Sequence, residues 1–342
     1  MRPRQSARYA VLRELLADLG EPPYRLRQIL HAVHRHGIVE YARMTALPKR
    51  LRDELIAALG PTVPDLRPLA HETSHQVEKV LFESPSGARI ETVLARYRTF
   101  TSLCVSTQVG CGLGCTFCAT GAVGLVRNLT ADEICDQVLY FAPVDSVAFM
   151  GMGEALANPH TFAALRSLTD EDTFGMSPRR ITVSTVGFLP GLRHLVTEHP
   201  QVTLTLSVHS PFDDQRAELI PLQQRFPLAE CLELLDRHVG VTRRKAYLAY
   251  LLIDGFNDSD DHADALAELV ERTDNARWFH VSVIPYNDAV EVTAAYRRPS
   301  AERTRAFLTR LRARGVHATR RQQFGGDLDA ACGQLHARYL AP

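Results

Sequence analysis

No stretch of this 342-residue chain approaches the roughly 18 uncharged apolar residues that a membrane span needs, so membrane-embedded functions are not expected. Nor does an apolar segment follow the basic start Met1–Arg8, as a secretory signal would require. A cytoplasmic location without membrane association is expected, where thiols stay reduced. Internal repeats and low-complexity segments are also lacking, which sets aside solenoids and compositionally disordered chains. Net charge vanishes, with 39 Lys and Arg against 39 Asp and Glu. What is present is ordinary for a globular protein: 45% hydrophobic and 23% charged residues. In a reducing compartment the seven cysteines (104, 111, 115, 118, 135, 231 and 332) read as ligands, catalysts or core residues rather than as a disulfide framework.

The zero balance conceals an asymmetry. Residues 1–70 hold twelve Lys and Arg against seven acids, and residues 297–321 hold nine arginines against Glu302 alone. The compensating acids gather at Asp254, Asp258, Asp260, Asp261, Asp264, Glu268 and Glu271. Two basic ends around an acidic middle suggest an oriented face for a polyanion, and solvated helix faces would give the same count.

Three short helices, each stopped by a glycine, are expected at Arg8–Leu19, Tyr24–His36 and Leu47–Leu59. A Pro-rich linker follows at Gly60–Pro68, then a hairpin of Lys79–Glu83 and Ala88–Tyr97 around Ser84-Pro-Ser-Gly87. From Thr101 the pattern alternates. Strands are expected at Ser102–Gln108, Ser146–Met150, Arg180–Thr185, Val202–Val208, Ala246–Ile253 and Phe279–Pro285, separated by helical patterns and closed by Val316–Gln323. Six such units predict an α/β fold, a partial (β/α)6 barrel open on one side, with its chemistry at the strand C-terminal ends. The domains read as a helical accessory unit at 1–68, linker and hairpin at 69–98, barrel at 99–300, and a C-terminal helix, closing strand and tail at 301–342.

Cys111-Gly-Leu-Gly-Cys115-Thr-Phe-Cys118 lies just past the first barrel strand. Three thiolates at this spacing either converge on one centre or are structural thiols buried together by accident, and Gly112 and Gly114 let the backbone wrap tightly. A cubane usually takes four cysteines. Three leave one iron open to an outside ligand, which the amino and carboxylate groups of S-adenosylmethionine can supply. A zinc site with a fourth ligand from Cys104 or a distant His is the alternative.

Cys-x-x-x-Cys-x-x-Cys after a first strand resembles the signature of the radical S-adenosylmethionine superfamily. Cys104-Val-Ser-Thr-Gln-Val-Gly-Cys111, Phe149-Met-Gly-Met-Gly-Glu154, Ser184-Thr-Val-Gly187, Ser207-Val-His209, Pro285-Tyr-Asn287 and Asp329-Ala-Ala-Cys332-Gly-Gln-Leu335 narrow the likeness. Together they resemble the dual-specificity methyltransferases of 23S ribosomal RNA, over nearly the whole chain. That family has a housekeeping branch acting at adenine C2 and a Cfr-type branch acting at C8. Ala155-Leu-Ala-Asn158 after Glu154, Gln76–Phe82, Arg244–Tyr250 and Gln323-Phe-Gly325 look more like the second.

The resemblance implies a [4Fe–4S] cluster on Cys111, Cys115 and Cys118, with S-adenosylmethionine held by Gly153, Glu154, Ser184, Ser207, Val208, His209 and Asn287. It implies that Cys332 is methylated and carries the carbon to the RNA, that Cys104 resolves the adduct and ends in a transient disulfide with Cys332, and that Glu91 accepts the ring proton. Partners implied are 23S rRNA and an external donor such as a flavodoxin-type reductant, with the protein a monomer. Read unaided, Cys332 and Cys104 are equally at home in a core, and Glu91 is an ordinary exposed strand residue. Cys135 and Cys231 read as packing residues. Arginines 297–321 and the N-terminal helices are the candidate RNA-facing surface.

Overall fold

A computed structural model describes residues 7–287, 296–322, 328 and 334–335. Helices α1 (Ala7–Asp18), α2 (Tyr24–His36) and α3 (Lys49–Leu59) enclose a small core of their own, in which Leu12, Ile29, Leu51 and Leu55 are fully buried. This unit is joined to the rest by a buried cation. The Arg8 guanidinium donates to both carboxylate oxygens of Asp136 at 2.6 and 2.9 Å and to Asp65 at 2.9 Å. Asp136 also accepts from the backbone amides of Asp65 and Leu66.

Strands β1 (Arg67–Thr73), β2 (Val77–Glu83), β3 (Arg89–Arg96) and β4 (Thr101–Val105) form an antiparallel meander. Gly87 N–H donates to Ser84 O and closes the expected turn between β2 and β3. Strand β1 falls partly in the stretch expected to be a linker. It is exposed along its whole length and has a bulge at Pro68, so it is held by backbone pairing at the sheet edge and shows no hydrophobic alternation. The first barrel strand is also shorter than expected. It stops at Val105, and β5 (Gln108–Gly110) instead pairs with β6 (Leu125–Asn128) in a separate two-stranded sheet beside the short helix α4 (Ala119–Val123).

Next come α5 (Ala131–Phe141), β7 (Ser146–Phe149), α6 (His160–Thr169), β8 (Ile181–Thr185), α7 (Leu189–Glu198) and β9 (Thr203–Ser207). The chain continues through α8 (Asp213–Leu219), α9 (Leu228–Thr242), β10 (Ala246–Leu252), α10 (Asp260–Glu271), β11 (Phe279–Pro285), α11 (Ala301–Ala313) and β12 (Ala318–Arg320). Strands β4, β7, β8, β9, β10, β11 and β12 are parallel neighbours in that order, the six expected units plus the closing strand. Local sequence supports the helix starts: Thr130 and Glu133 form a capping box at α5, and the Ser259 and Ser300 side chains cap α10 and α11. Among the described residues no helix is long and apolar enough to cross a membrane.

The charge asymmetry resolves into a zipper. Arg303 and Arg310 pair with Asp260, Arg310 with Asp264, and Arg314 with Glu271. Arg303 and Arg310 of α11 and Arg314 just past its end are thus spent on the acids of α10, and the basic C-terminal segment is less available to RNA than its composition suggests.

Candidate active site

Because every parallel strand points the same way, the loops leaving β4, β7, β8, β9, β10 and β11 meet at one end of the sheet. There they enclose a cavity of about 250 Å³. Cys111, Cys115 and Cys118 line it together with Cys104. Cys104 pairs in register with Val93 on β3 and Ala148 on β7, so strand alternation turns it to the same face as the loop thiols. Of the two glycines between the thiols, Gly114 is left-handed (φ 65°) and Gly112 is not.

The three loop thiols fit a soft, positively charged centre. Burial, and then the nearby Cys118, push Cys111 up to about 11. Burial also pushes Cys115 well up, helped by Cys118 and Cys111. Such thiols ionise only with a compensating cation, and an iron–sulfur cluster provides one for thiolate ligands. Among the described residues no three His, Cys, Asp or Glu side chains are gathered closely enough for a single metal ion. A cubane spreads its ligands more widely than one zinc does.

The loop after β7 passes extremely close to β4 and β5. A Cβ on Gly151 would lie 2.7 Å from Val105 O, and one on Gly153 (φ 97°) would lie 2.5 Å from Gln108 Cβ. Glu154 follows. It is buried, receives the Leu156 and Val186 amides at 3.2 and 3.0 Å, and is pushed above the usual carboxylate range by burial. Gln108 fixes this loop, accepting from Glu154 N at 2.8 Å while its amide donates to Asn128.

Ser184, Ser207 and His209 also line the cavity. His209 has a positive φ (59°), and its Nδ1 accepts from Leu251 N at 3.0 Å. Burial, and then Arg216, press its pKa down to about 3. The ring is therefore neutral with its proton on Nε2, leaving Nε2–H as a donor. Asn287 lies beside the cavity-lining Tyr286. It accepts from Arg298 Nη1 at 2.9 Å, which fixes the amide orientation, and its buried Nδ2 has no partner among the described residues. A buried orphan donor beside a cavity fits a ligand acceptor.

Two expectations are placed differently, and a third falls outside the described residues. Val208 does not reach the cavity: alternation turns its fully buried side chain away from that of Ser207, and its carbonyl accepts from Arg216. Glu91, read as exposed, is buried, with Oε1 3.5 Å from Lys79 Nζ, and lies one strand step beyond the cavity-lining Val93. Cys332 lies outside the described residues. Leu335, three positions on, lines the cavity, and its carbonyl accepts from the Thr120 hydroxyl. No two of the described cysteines are joined in a disulfide. Cys135 and Cys231 pack in the main core.

Several residues that build the site carry no sequence signal. Buried Arg216 donates to the carbonyls of Val186, Ser207 and Val208 and to the Gln223 side chain, tying the ends of β8 and β9 together. The Gln137 amide joins α5 to the Ser106 backbone and to Thr92. Asn257 binds His209 O, Leu251 O and Ile253 N. Each reaches at least one partner well removed in the chain: Val186 for Arg216, Thr92 and Ser106 for Gln137, and His209 for Asn257.

Residues 105–266 match the radical SAM superfamily, and residues 7–59 match the ribosomal RNA large subunit methyltransferase N-terminal domain. The chain is 44% identical over 338 residues to the ribosomal RNA large subunit methyltransferase Cfr of Staphylococcus warneri, covering 97% of each. It is also 44% identical to the protein of that name from Shouchella clausii, covering 98% of this chain and 97% of the other. A crystal structure of a radical SAM methyltransferase from Sphaerobacter thermophilus superposes with a TM-score of 0.91 at 42% identity, covering 98% of this chain and all of that one.

Proposed function

Since the chain belongs to the Cfr-type family of large-subunit ribosomal RNA methyltransferases, a radical S-adenosylmethionine family that uses a [4Fe–4S] cluster, we propose that it methylates an adenine of 23S rRNA at C8. The observation that carries this is one cavity holding the three loop thiols, Cys104 and the Gly153–Glu154 turn, with the tail beside Cys332 reaching it at Leu335.

Cys111, Cys115 and Cys118 would hold the cluster. Gly153, Glu154, Ser184, Ser207, His209 and Asn287 would hold S-adenosylmethionine, Glu154 accepting from its ammonium and His209 donating from Nε2. When bound, these groups supply a methyl group and a radical able to take hydrogen from carbon. The chain's own part follows from the target. An aromatic amidine carbon is not nucleophilic, so the methyl is carried on Cys332 sulfur; once one of its hydrogens has been taken as an atom, its carbon joins the ring carbon as a covalent adduct. Glu91 accepts the ring proton, and the one electron left over would pass to the cluster that Cys111, Cys115 and Cys118 would hold. The Cys104 thiolate then attacks Cys332 sulfur. As that sulfur–sulfur bond forms the carbon–sulfur bond breaks, the carbon keeps the electron pair and gains a proton, and the methylated base leaves. An external two-electron reductant reopens the disulfide. We place this monomeric enzyme in the cytoplasm with a flavodoxin-type donor for the radical step.

The target adenine has to leave its stack to enter the cavity. RNA recognition would rest on shape and phosphate contacts and weaken steeply with salt. The test is mass spectrometry of nucleosides from 23S rRNA after reaction with reconstituted protein. 8-Methyladenosine is the expected product; 2-methyladenosine alone would overturn the C8 assignment, and an unmodified rRNA would overturn the substrate.

A further inference from the structure

Lys79 sits where the meander meets the C-terminal tail. Strands β2 and β3 pair Leu81 with Glu91 and Lys79 with Val93, and β3 and β4 pair Val93 with Cys104. The two-residue period therefore puts Lys79, Glu91 and Cys104 on one face of the sheet, with Lys79 and Glu91 as diagonal neighbours. Both side chains are nearly buried, at 12% and 8% exposure. The Lys79 ammonium lies 2.9 Å from Glu72 Oε2 and 2.6 Å from Leu328 O, and 3.5 Å from Glu91 Oε1. An ammonium has three donors. The contact with Leu328 O is a hydrogen bond, and those with Glu72 and Glu91 are ion pairs, the second at longer range.

One buried cation thus touches both the carboxylate assigned to take the ring proton and the tail, four residues before Cys332 in the sequence. A lysine with only a structural task would need an acidic partner, which Glu72 already provides. We infer that Lys79 is a positioning residue for adduct breakdown: it holds Glu91 and the C-terminal tail in one frame, so that the proton acceptor and the adduct meet. This rests on the reading of Glu91 and Cys332 given above.

The experiment compares Lys79→Met, Lys79→Arg, Glu91→Gln and the double variant K79M/E91Q in the reconstituted holoenzyme. Single turnovers on an rRNA fragment are followed by denaturing gels for covalent protein–RNA adduct, by nucleoside analysis for product, and by peptide mass spectrometry for methyl on Cys332. Lys79→Met should methylate Cys332, accumulate adduct and release product about tenfold or more slowly, with the roughly 10²–10⁴-fold cost of losing a general base outright as the ceiling. Lys79→Arg should restore most of the release rate, and the double variant should be no worse than Glu91→Gln. Adduct accumulation in Glu91→Gln together with normal release in Lys79→Met overturns the inference alone. Normal release in Glu91→Gln overturns the Glu91 assignment whatever Lys79 does. Loss of Cys332 methylation in folded Lys79→Met would place the lysine earlier and also overturn the inference. If Lys79→Met does not fold, Lys79→Arg decides: near-normal release supports the role, and release as slow as in Glu91→Gln refutes it.

Discussion

Replacing Gly153 with Ala should weaken S-adenosylmethionine binding by orders of magnitude while leaving the protein folded. The backbone there has φ 97°, which costs an L-residue about 1–3 kcal/mol. The added methyl would also stand 2.5 Å from Gln108 Cβ and 2.6 Å from its Cγ. Gln108 cannot retreat without cost, since its Oε1 holds Glu154 N at 2.8 Å and its amide holds Asn128 at 2.8 Å. Losing one such bond adds about 0.5–1.5 kcal/mol, giving about 1.5–4.5 kcal/mol together. Moving the loop relieves the strain, so the cost falls on the conformation that binds the cofactor, and the dissociation constant rises roughly 10- to 2,000-fold. Gly87→Ala is the matched control, with φ 77° and no atom within 4 Å of its Cβ. It should cost stability and leave binding unchanged. Equilibrium dialysis of labelled S-adenosylmethionine against anaerobically reconstituted variants measures both. A Gly153→Ala constant within about threefold of wild type, or an equal loss in Gly87→Ala, would refute the reasoning.

Asp136→Ala leaves the Arg8 guanidinium with Asp65 as its remaining side-chain acceptor and strands two backbone amides, and urea denaturation should show a loss of up to about 3–5 kcal/mol. Stability should fall below pH 6.5. Burial holds His209 down to about 3 and His34 down to about 4, so between those values and 6.5 the unfolded chain binds protons that the folded one refuses. Each contribution is complete above about pH 6.5 and lost at about 1.4 kcal/mol per unit as pH falls. Unfolding at pH 7 and 5.5 should differ by roughly 2 kcal/mol for the pair, and His209→Gln should remove one proton from that slope. An unchanged slope would count against a neutral buried ring. Arg310→Ala, at a half-exposed pair with Asp260 and Asp264, should leave the urea midpoint and the salt slope of RNA binding nearly unaltered. Cys111→Ala, Cys115→Ala and Cys118→Ala should each lose iron and acid-labile sulfide on reconstitution, read by elemental analysis against wild type.

The strand order and the thiol triad were legible because both are local: period-two apolar runs between capped helices, and three cysteines within eight residues. Edge strand β1 was not, because it buries no side chain and shows no alternation. The pair β5–β6 escaped because its strands are only three and four residues long. Glu91 looked exposed because a strand residue's burial depends on what covers its face, here Lys79, itself tied to the carbonyl of Leu328 249 residues away. Partners 30 to 48 residues away likewise hid Arg216, Gln137 and Asn257, whose value lies in the carbonyls and amides they satisfy. The arginine-rich segment misled in the other direction. Composition revealed its charge, and only the packing of α11 on α10 showed that part of it is neutralised.

The most direct test of the account is where the methyl carbon goes before it reaches RNA. Reconstituted protein incubated with methyl-deuterated S-adenosylmethionine and no RNA should carry the label on Cys332 and on no other cysteine. Adding rRNA should move that label into the adenine, and Cys332→Ala should show neither event. Methylated rRNA formed by the Cys332→Ala protein, or by protein whose Cys332 never takes up label, would contradict it.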